Sequence, residues 1–337
     1  MTRRSVARRP GWWRRFGLSL LVTLLVAEGV ARVIAPYLEP VGRWPRADYI
    51  GHEKGLAARA DDLDLLVLGS SVVGRDLSPD RLRDIGGPAV GYNYWLAGPP
   101  MRSIDLLVTD AVLQRVSPAV VVLGVTMREF VDGPSARAHL EALRQSPGFQ
   151  AASGRSGLID RLDDGLQRVS VLARHRTDFR DPVQLARNIE AEPLVPERLG
   201  ADGYLLDRGD DQLADEPAAH VAQEEAVMAG YELNPGDVEA LGHLLGVLRE
   251  RGIEVLVVNL PVTERFIAMA DDGRADYDAY LRQVRAATEE GGAGWLDTMD
   301  RTWPDYLFAD VNHLNDQGAT HLQPLVLDAL KRLPTTG

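Results

Sequence analysis

Two short stretches of this 337-residue chain carry residue types that could act together on a carbonyl group. The first is Gly69-Ser70-Ser71, which ends the apolar run Leu65–Leu68; the second is Asp310-Val311-Asn312-His313, close to the other end of the chain. A serine hydroxyl becomes nucleophilic when a base removes its proton, and an imidazole base needs a carboxylate to fix its tautomer. Asp-x-x-His on one loop before a helix can supply both. On residue types alone either Ser70 or Ser71 could attack, and Gly-Ser-Ser after a strand is also ordinary turn chemistry.

The elements that must position these residues follow from periodicity. Leu65–Leu68 reads as a strand buried on both faces, of the kind found in parallel sheets. Ala89–Trp95, Ala119–Leu123 and Ile253–Leu260 read as three more strands, and Trp295–Asp297 as a short fifth. Helices are expected between them, at Asp80–Ile85, Ser103–Leu113, Asp237–Arg251 and Tyr277–Glu290. A last helix is expected from Asp316 to Leu333, with Asn315 as a possible cap. This alternation predicts an α/β fold, flavodoxin-like, three layers α/β/α around a parallel sheet of about five strands. In such sheets ligands bind beyond the carboxyl ends of the strands, where Ser70 and Ser71 would sit.

About a hundred residues separate the third strand from the helix before the fourth, far more than an ordinary connection. They are expected to form a helical insert over 133–233. Helical patterns appear at Ser135–Leu143, Leu158–Leu172, Val183–Ile189 and Ala218–Ala229, and an acidic loop spans Asp207 to Glu216.

Residues 1–15 hold six arginines and no acid, and 16–36 form an apolar stretch close to the roughly 20 residues that cross a bilayer as a helix. The expected organisation is a basic cytoplasmic tail (1–15), a transmembrane anchor (16–36), a spacer (37–62) and a body (63–333). The arginines put the body outside the cytoplasm. A cleaved signal peptide is the alternative, with small-residue sites near Ala27-Glu28-Gly29 and Gly29-Val30-Ala31. Glu28 and Arg32, four apart, are expected to pair.

The net charge of −12 becomes more acidic still without the basic tail, which argues against a nucleic-acid partner. There is no cysteine, so neither disulfides nor thiolate metal sites can form. No cofactor is expected and no metal: His139, His175, His220, His243 and His321 read as surface or helix residues without metal spacing. His52 is expected in a solvated loop, Tyr92 and Trp95 in the core. Arg75 and Asp76 are expected to meet each other or solvent, and Arg128 to pair with Glu129 or another acid.

The chain resembles the SGNH, or GDSL, hydrolase superfamily. Gly69-Ser70-Ser71 is similar to its first block, Gly98 after the second strand to its single-glycine block, and Asp310-Val311-Asn312-His313 to its last. The resemblance implies Ser71 as nucleophile, His313 as general base and Asp310 as its partner. It also implies an oxyanion hole from the backbone N–H groups of Ser71 and Gly98. Where the family has Gly-x-Asn-Asp, this chain has Gly124-Val125-Thr126-Met127, which leaves the Thr126 hydroxyl or two donors alone.

With its basic start and single span, the chain is similar to membrane-anchored members associated with acyl transfer in bacterial envelopes. These include the alginate O-acetylation proteins and the teichoic-acid D-alanylation protein. The resemblance implies an extracytoplasmic serine esterase or O-acyltransferase acting on acyl esters of an envelope glycan or a small ester. One span cannot carry an acyl donor across the bilayer, so transfer would require a polytopic membrane acyltransferase as partner. The alternative is a catalytically silent anchored subunit, which the missing asparagine favours and the Asp310/His313 pair opposes.

Overall fold

The computed structural model describes residues 12–37, 47–155, 157–176, 199–205 and 211–334, with single positions at 179, 183 and 186. The tail up to residue 11, positions 38–46 of the spacer, all but positions 183 and 186 of the helix expected over Val183–Ile189, and residues 207–210 of the acidic loop lie outside the described residues.

In chain order the first elements are α1 (Trp12–Ile34), α2 (Ala47–Ala57), β1 (Leu65–Ser70), α3 (Ser71–Asp76), α4 (Pro79–Asp84), β2 (Gly91–Leu96), α5 (Met101–Asp110) and β3 (Val120–Val125). Then come α6 (Pro134–Gln145), α7 (Pro147–Ala152), α8 (Leu158–Val169), α9 (Val171–Arg174), α10 (Ala218–Met228) and α11 (Pro235–Glu250). The chain closes with β4 (Glu254–Asn259), α12 (Glu264–Ile267), α13 (Arg274–Gly291), β5 (Gly294–Asp297) and α14 (Asp316–Leu330). These fall into two compact units, Met1–Gly42 with Ser156–Pro196, and Arg43–Arg155 with Glu197–Gly337.

The larger unit is built on a parallel five-stranded sheet in the order β2-β1-β3-β4-β5. Side chains alternate across a strand, so a wholly apolar β1 must feed two cores. Leu66 and Leu68 pack with α2, α5, α11 and α13, while Leu65 and Val67 pack with α3, α4 and α14. This is the three-layer α/β/α arrangement expected. Strand order reverses between β1 and β3, so the crevice for a ligand opens beyond Ser70 and Val125.

Part of the segment expected as a spacer is helical. Tyr49, His52 and Leu56 of α2 are buried, and His52 Nδ1 lies 3.0 Å from the Tyr92 hydroxyl, with the Tyr94 ring stacked at 4.8 Å. His52 is therefore a core residue and not a solvated one. Burial is the main cause that pushes its pKa down to about 3, so it stays neutral. Tyr92 and Trp95 are buried as expected.

In the smaller unit, α1 is long and apolar enough to cross a membrane, and its large side chains are exposed. Near its end Glu28 pairs with Arg32 (2.8 Å) as expected, but it also accepts from the Ser170 hydroxyl (2.8 Å) and from the amides of Val171 (3.0 Å) and Leu172 (3.1 Å). Arg32 donates to the Val169 carbonyl (3.0 Å). The orphan amides at the start of α9 are thus satisfied by a carboxylate of α1.

The turn that presents the serines depends on close packing. A Cβ on Gly69, where φ is +152°, would stand 2.3 Å from Val73 Cγ2 and 2.6 Å from the Gly124 carbonyl oxygen. Gly246 in α11 has nothing within 4 Å of the same point. Gly69→Ala is therefore expected to destabilise the chain by about 1–3 kcal/mol or more. Gly246→Ala should stabilise it by about 0.5–1 kcal/mol. Chemical unfolding of both variants checks this, and equal effects would contradict it.

Candidate active site

β1 delivers both serines, and the structure separates their roles. Ser70 is buried, and its hydroxyl caps α3 by accepting from the Val72 amide (3.3 Å). Ser71, the first helical residue, is half-buried, and its Oγ lies 3.0 Å from His313 Nε2. His313 Nδ1 lies 2.8 Å and 3.0 Å from the two carboxylate oxygens of Asp310. A carboxylate only accepts, so Nδ1 carries the proton and Nε2 is left to accept from Ser71.

The loop that holds Asp310 and His313 is fixed from several sides. Asp310 Oδ1 accepts from the amides of Asn312 (3.1 Å) and His313 (2.9 Å), so a local turn directs both residues toward Ser71. The Val311 carbonyl accepts from the amide (3.0 Å) and hydroxyl (2.8 Å) of Thr263 at the start of α12. Asn315 caps α14 as expected, accepting from the Gly318 amide (3.1 Å).

Arg75 and Asp76 do not simply meet each other or solvent. Arg75, one helical turn after Ser71, donates from Nη1 to Asp310 Oδ2 (3.2 Å). Asp76 is fully buried and accepts the Leu314 amide (3.1 Å), while its backbone carbonyl accepts from Gln323 (2.7 Å) of α14. The signal for Arg75 was available in its i+4 spacing from Ser71. Nothing in the local sequence marked Asp76.

Burial alone would raise the pKa of Asp310, but the charge and hydrogen bond of His313, the Arg75 guanidinium and the Asn312 amide hold it well below the ordinary carboxylate value. Asp76 moves the opposite way: burial and the nearby Asp310 charge push it well above its ordinary value, against the Leu314 amide and Arg75. For His313 burial is the largest cause and lowers the pKa; Asp310 opposes it and Arg75 adds to it. The imidazole is therefore neutral near pH 7, the form that can take a proton.

Thr126 does not turn its hydroxyl to the cleft. It is buried, and its hydroxyl (2.8 Å) and amide (2.6 Å) both donate to Glu129 Oε2. The same hydroxyl accepts from the Arg128 amide (3.3 Å), closing a capping box on the 3₁₀ turn Met127–Phe130. Arg128 pairs with Glu224 of α10 rather than Glu129, through Nε (2.8 Å) and Nη2 (3.3 Å). Burial raises the pKa of Glu129, against the hydroxyls of Ser70 and Thr126.

Ser71, Gly98, Arg128, His220, Glu224 and His313 line one cavity of about 480 Å³. Gly98 has φ +62°, a left-handed conformation that favours glycine. His220, expected as a surface or helix residue, lies on α10 with its ring 6.4 Å from that of His313, and its Nδ1 meets Glu216 at 2.7 Å. Among the described residues Glu216, His220 and Asp310 bring one possible metal-ligating atom each within 4.8 Å of one another. The Asp310 oxygens are already engaged by His313, Arg75 and two amides.

A parallel 2-1-3-4-5 sheet, with serine at the tip of β1 and Asp-x-x-His before the last helix, is the arrangement that the resemblance to the SGNH, or GDSL, hydrolases implies. Residues 234–323 match the model of the family described as DltD protein; the match includes Asp310 and His313 and stops short of Ser71. No curated protein matches the chain. Among solved structures, a GDSL-like lipase from Bacteroides thetaiotaomicron is 11% identical, covering 85% of this chain and 98% of that one with a TM-score of 0.41. The acetyl xylan esterase AlAXEase is 14% identical (80% and 100% covered, TM-score 0.35). A carbohydrate acetylesterase family member from Sinorhizobium meliloti is 12% identical (80% and 100%, TM-score 0.37).

The electrostatics around His313 give a direct expectation. Its folded pKa is lowered, so the ring should stay neutral as pH falls through 6.5 and protonate only below it. Asp310→Asn removes the charge that raises it and should lower it further. Histidine proton shifts followed by NMR during titration would show this, whereas a His313 pKa above 6.5 would overturn it.

Proposed function

We propose that this chain is a membrane-anchored, extracytoplasmic serine ester hydrolase or O-acyltransferase. It would act on acyl esters, acetyl foremost, of a cell-envelope glycan or a related small ester. The observation that carries this reading is the continuous line from Ser71 Oγ through His313 to Asp310, with contacts of 3.0 Å and 2.8 Å. The family match across the loop with Asp310 and His313 supports it.

In this reading Ser71 Oγ bonds to the ester carbonyl carbon as its proton passes to His313 Nε2, and the carbonyl π electrons move onto oxygen. The backbone N–H groups of Ser71 and Gly98 receive that oxyanion. Collapse re-forms the carbonyl and expels the alcohol, which takes the proton from Nε2. Water, or a sugar hydroxyl as acceptor, then repeats the steps on the acyl-serine and frees Ser71. Asp310 keeps the imidazole in the working tautomer and stabilises its charged form. Arg75 keeps Asp310 ionised and oriented.

The apolar α1 supports a single-pass anchor. So does α8 of the same unit, where Leu158, Leu162, Leu166 and Val169 are exposed at helical spacing, as on helices that lie at a membrane surface. Transfer, as distinct from hydrolysis, would draw its acyl group from a polytopic membrane acyltransferase.

The test is the full chain in detergent with p-nitrophenyl acetate, beside Ser71→Ala, His313→Ala and Asp310→Asn. Each variant is expected to lose roughly 10⁴-fold in kcat. The parent should keep its kcat/KM as pH falls to 6.5 and lose it below, because the working base is the neutral form of a ring whose pKa is lowered. Parent-like rates for Ser71→Ala would remove the reading. Acylated product on an added oligosaccharide would select transfer.

A further inference from the structure

The family resemblance puts a side-chain donor on the loop after β3, and the residue expected in its place, Thr126, donates its hydroxyl to Glu129. Two residues further on stands Arg128, in a turn whose shape is set by that same Thr126–Glu129 capping box. Its guanidinium is held as a fork: Nε and Nη2 both donate to the Glu224 carboxylate, at 2.8 Å and 3.3 Å. Glu224 is itself buried and accepts from Asn312 Nδ2 (3.3 Å), the residue beside His313. A planar guanidinium held on two nitrogens has its third nitrogen fixed in direction.

That third nitrogen, Nη1, lies against Gly98. It is 2.9 Å from the point a Cβ on Gly98 would occupy, and Nη2 is 3.4 Å away. Only a residue without a side chain leaves this place to Arg128. Arg128 lines the same cavity as Ser71 and Gly98, and its side chain is 15% exposed. Partly screened from water, a cation there acts on developing negative charge far more strongly than it would in bulk solvent.

We propose that Arg128 is a catalytic residue, its Nη1–H being the third donor to the oxyanion formed when Ser71 attacks. Glu224 is then a positioning residue, which aims the fork and offsets its charge in the ground state. The inference rests on the Ser71 reading. In the first step the Ser71 Oγ–carbon bond forms, the hydroxyl proton moves to His313 Nε2, and the carbonyl π pair becomes a lone pair on oxygen. That oxygen is shared by the amides of Ser71 and Gly98 and by Nη1–H. No proton leaves Arg128, and on collapse the negative charge passes to the departing alkoxide, which His313 protonates.

The experiment uses the full chain in detergent and p-nitrophenyl acetate, comparing the parent, Arg128→Ala, Arg128→Lys and Ser71→Ala. Both Arg128 variants are expected to lose about a hundred- to a thousandfold in kcat, with KM within about twofold, because the contact exists only once charge develops. Guanidinium chloride at tens of millimolar should restore Arg128→Ala at least tenfold, and the same concentration of urea should not. A kcat within threefold of the parent in either variant overturns the proposal. So does a loss that appears in KM alone, or a folded Arg128→Ala that guanidinium does not restore. If Arg128→Ala does not fold, Arg128→Lys decides by its kcat. A parent-like rate for Ser71→Ala would instead sink the serine reading itself, so the two failures are distinguishable.

Discussion

Everything at the cleft depends on holding one ionised carboxylate, Asp310, beside a neutral imidazole inside the protein. A buried charge is tolerated only when it is paired and hydrogen-bonded. Asp310 meets that demand with four partners: the His313 ring, the Arg75 guanidinium and the amides of residues 312 and 313. Three of the four lie on the loop itself, and the fourth, Arg75, is on the helix that starts with Ser71. The charge thereby ties the far end of the chain to the tip of β1, and the geometry of the site and local folding become one constraint.

Two other buried acids near the cleft are shifted in the opposite direction. Asp76 and Glu129 have raised pKa values, with burial the leading cause in both. For Asp76 the neighbouring Asp310 charge contributes as well, since two carboxylates close together cannot both ionise without cost. The outcome is a carboxyl held acidic where the imidazole needs it, beside two whose acidity burial weakens and which act as hydrogen-bonding joints. Asp76 joins α3 to the loop through the Leu314 amide; Glu129 joins the end of β3 to its own turn through Thr126. Groups with similar intrinsic acidity are driven apart by their surroundings, a pattern shared with many acid–base sites.

The layers were legible because a strand buried on both faces leaves little freedom: Leu65–Leu68 has to lie between two sets of helices. The serine and the Asp310–His313 loop could be paired for the same reason, since a doubly wound sheet gathers the ends of its strands along one edge. The helix α2 was hidden because its glycines look like a spacer. In the structure they are contact points: a Cβ on Gly55 would fall 2.3 Å from the Tyr92 hydroxyl, and one on Gly51 would fall 2.7 Å from Leu199. The Arg128–Glu224 pair joins positions 96 residues apart, and no local pattern can announce a contact of that kind. Thr126 was misleading in another way. Its position after β3 fits a donor, but a Glu three residues on makes it an N-cap, and capping claims the hydroxyl first.

Glu28 ties α1 to α9 within the smaller unit. A lone carboxylate six residues from the end of an apolar helix would be an expensive thing to leave in a membrane. Here it is consumed by Ser170, two amides of α9 and Arg32, so the charge has a structural use within its unit. Cleavage at either of the small-residue sites around Gly29 would separate α1 into a piece with Glu28 and a piece with Arg32. The start of α9 would then expose the amides of Val171 and Leu172. Within this unit the carboxylate that satisfies the first amides of α9 therefore comes from the apolar helix itself.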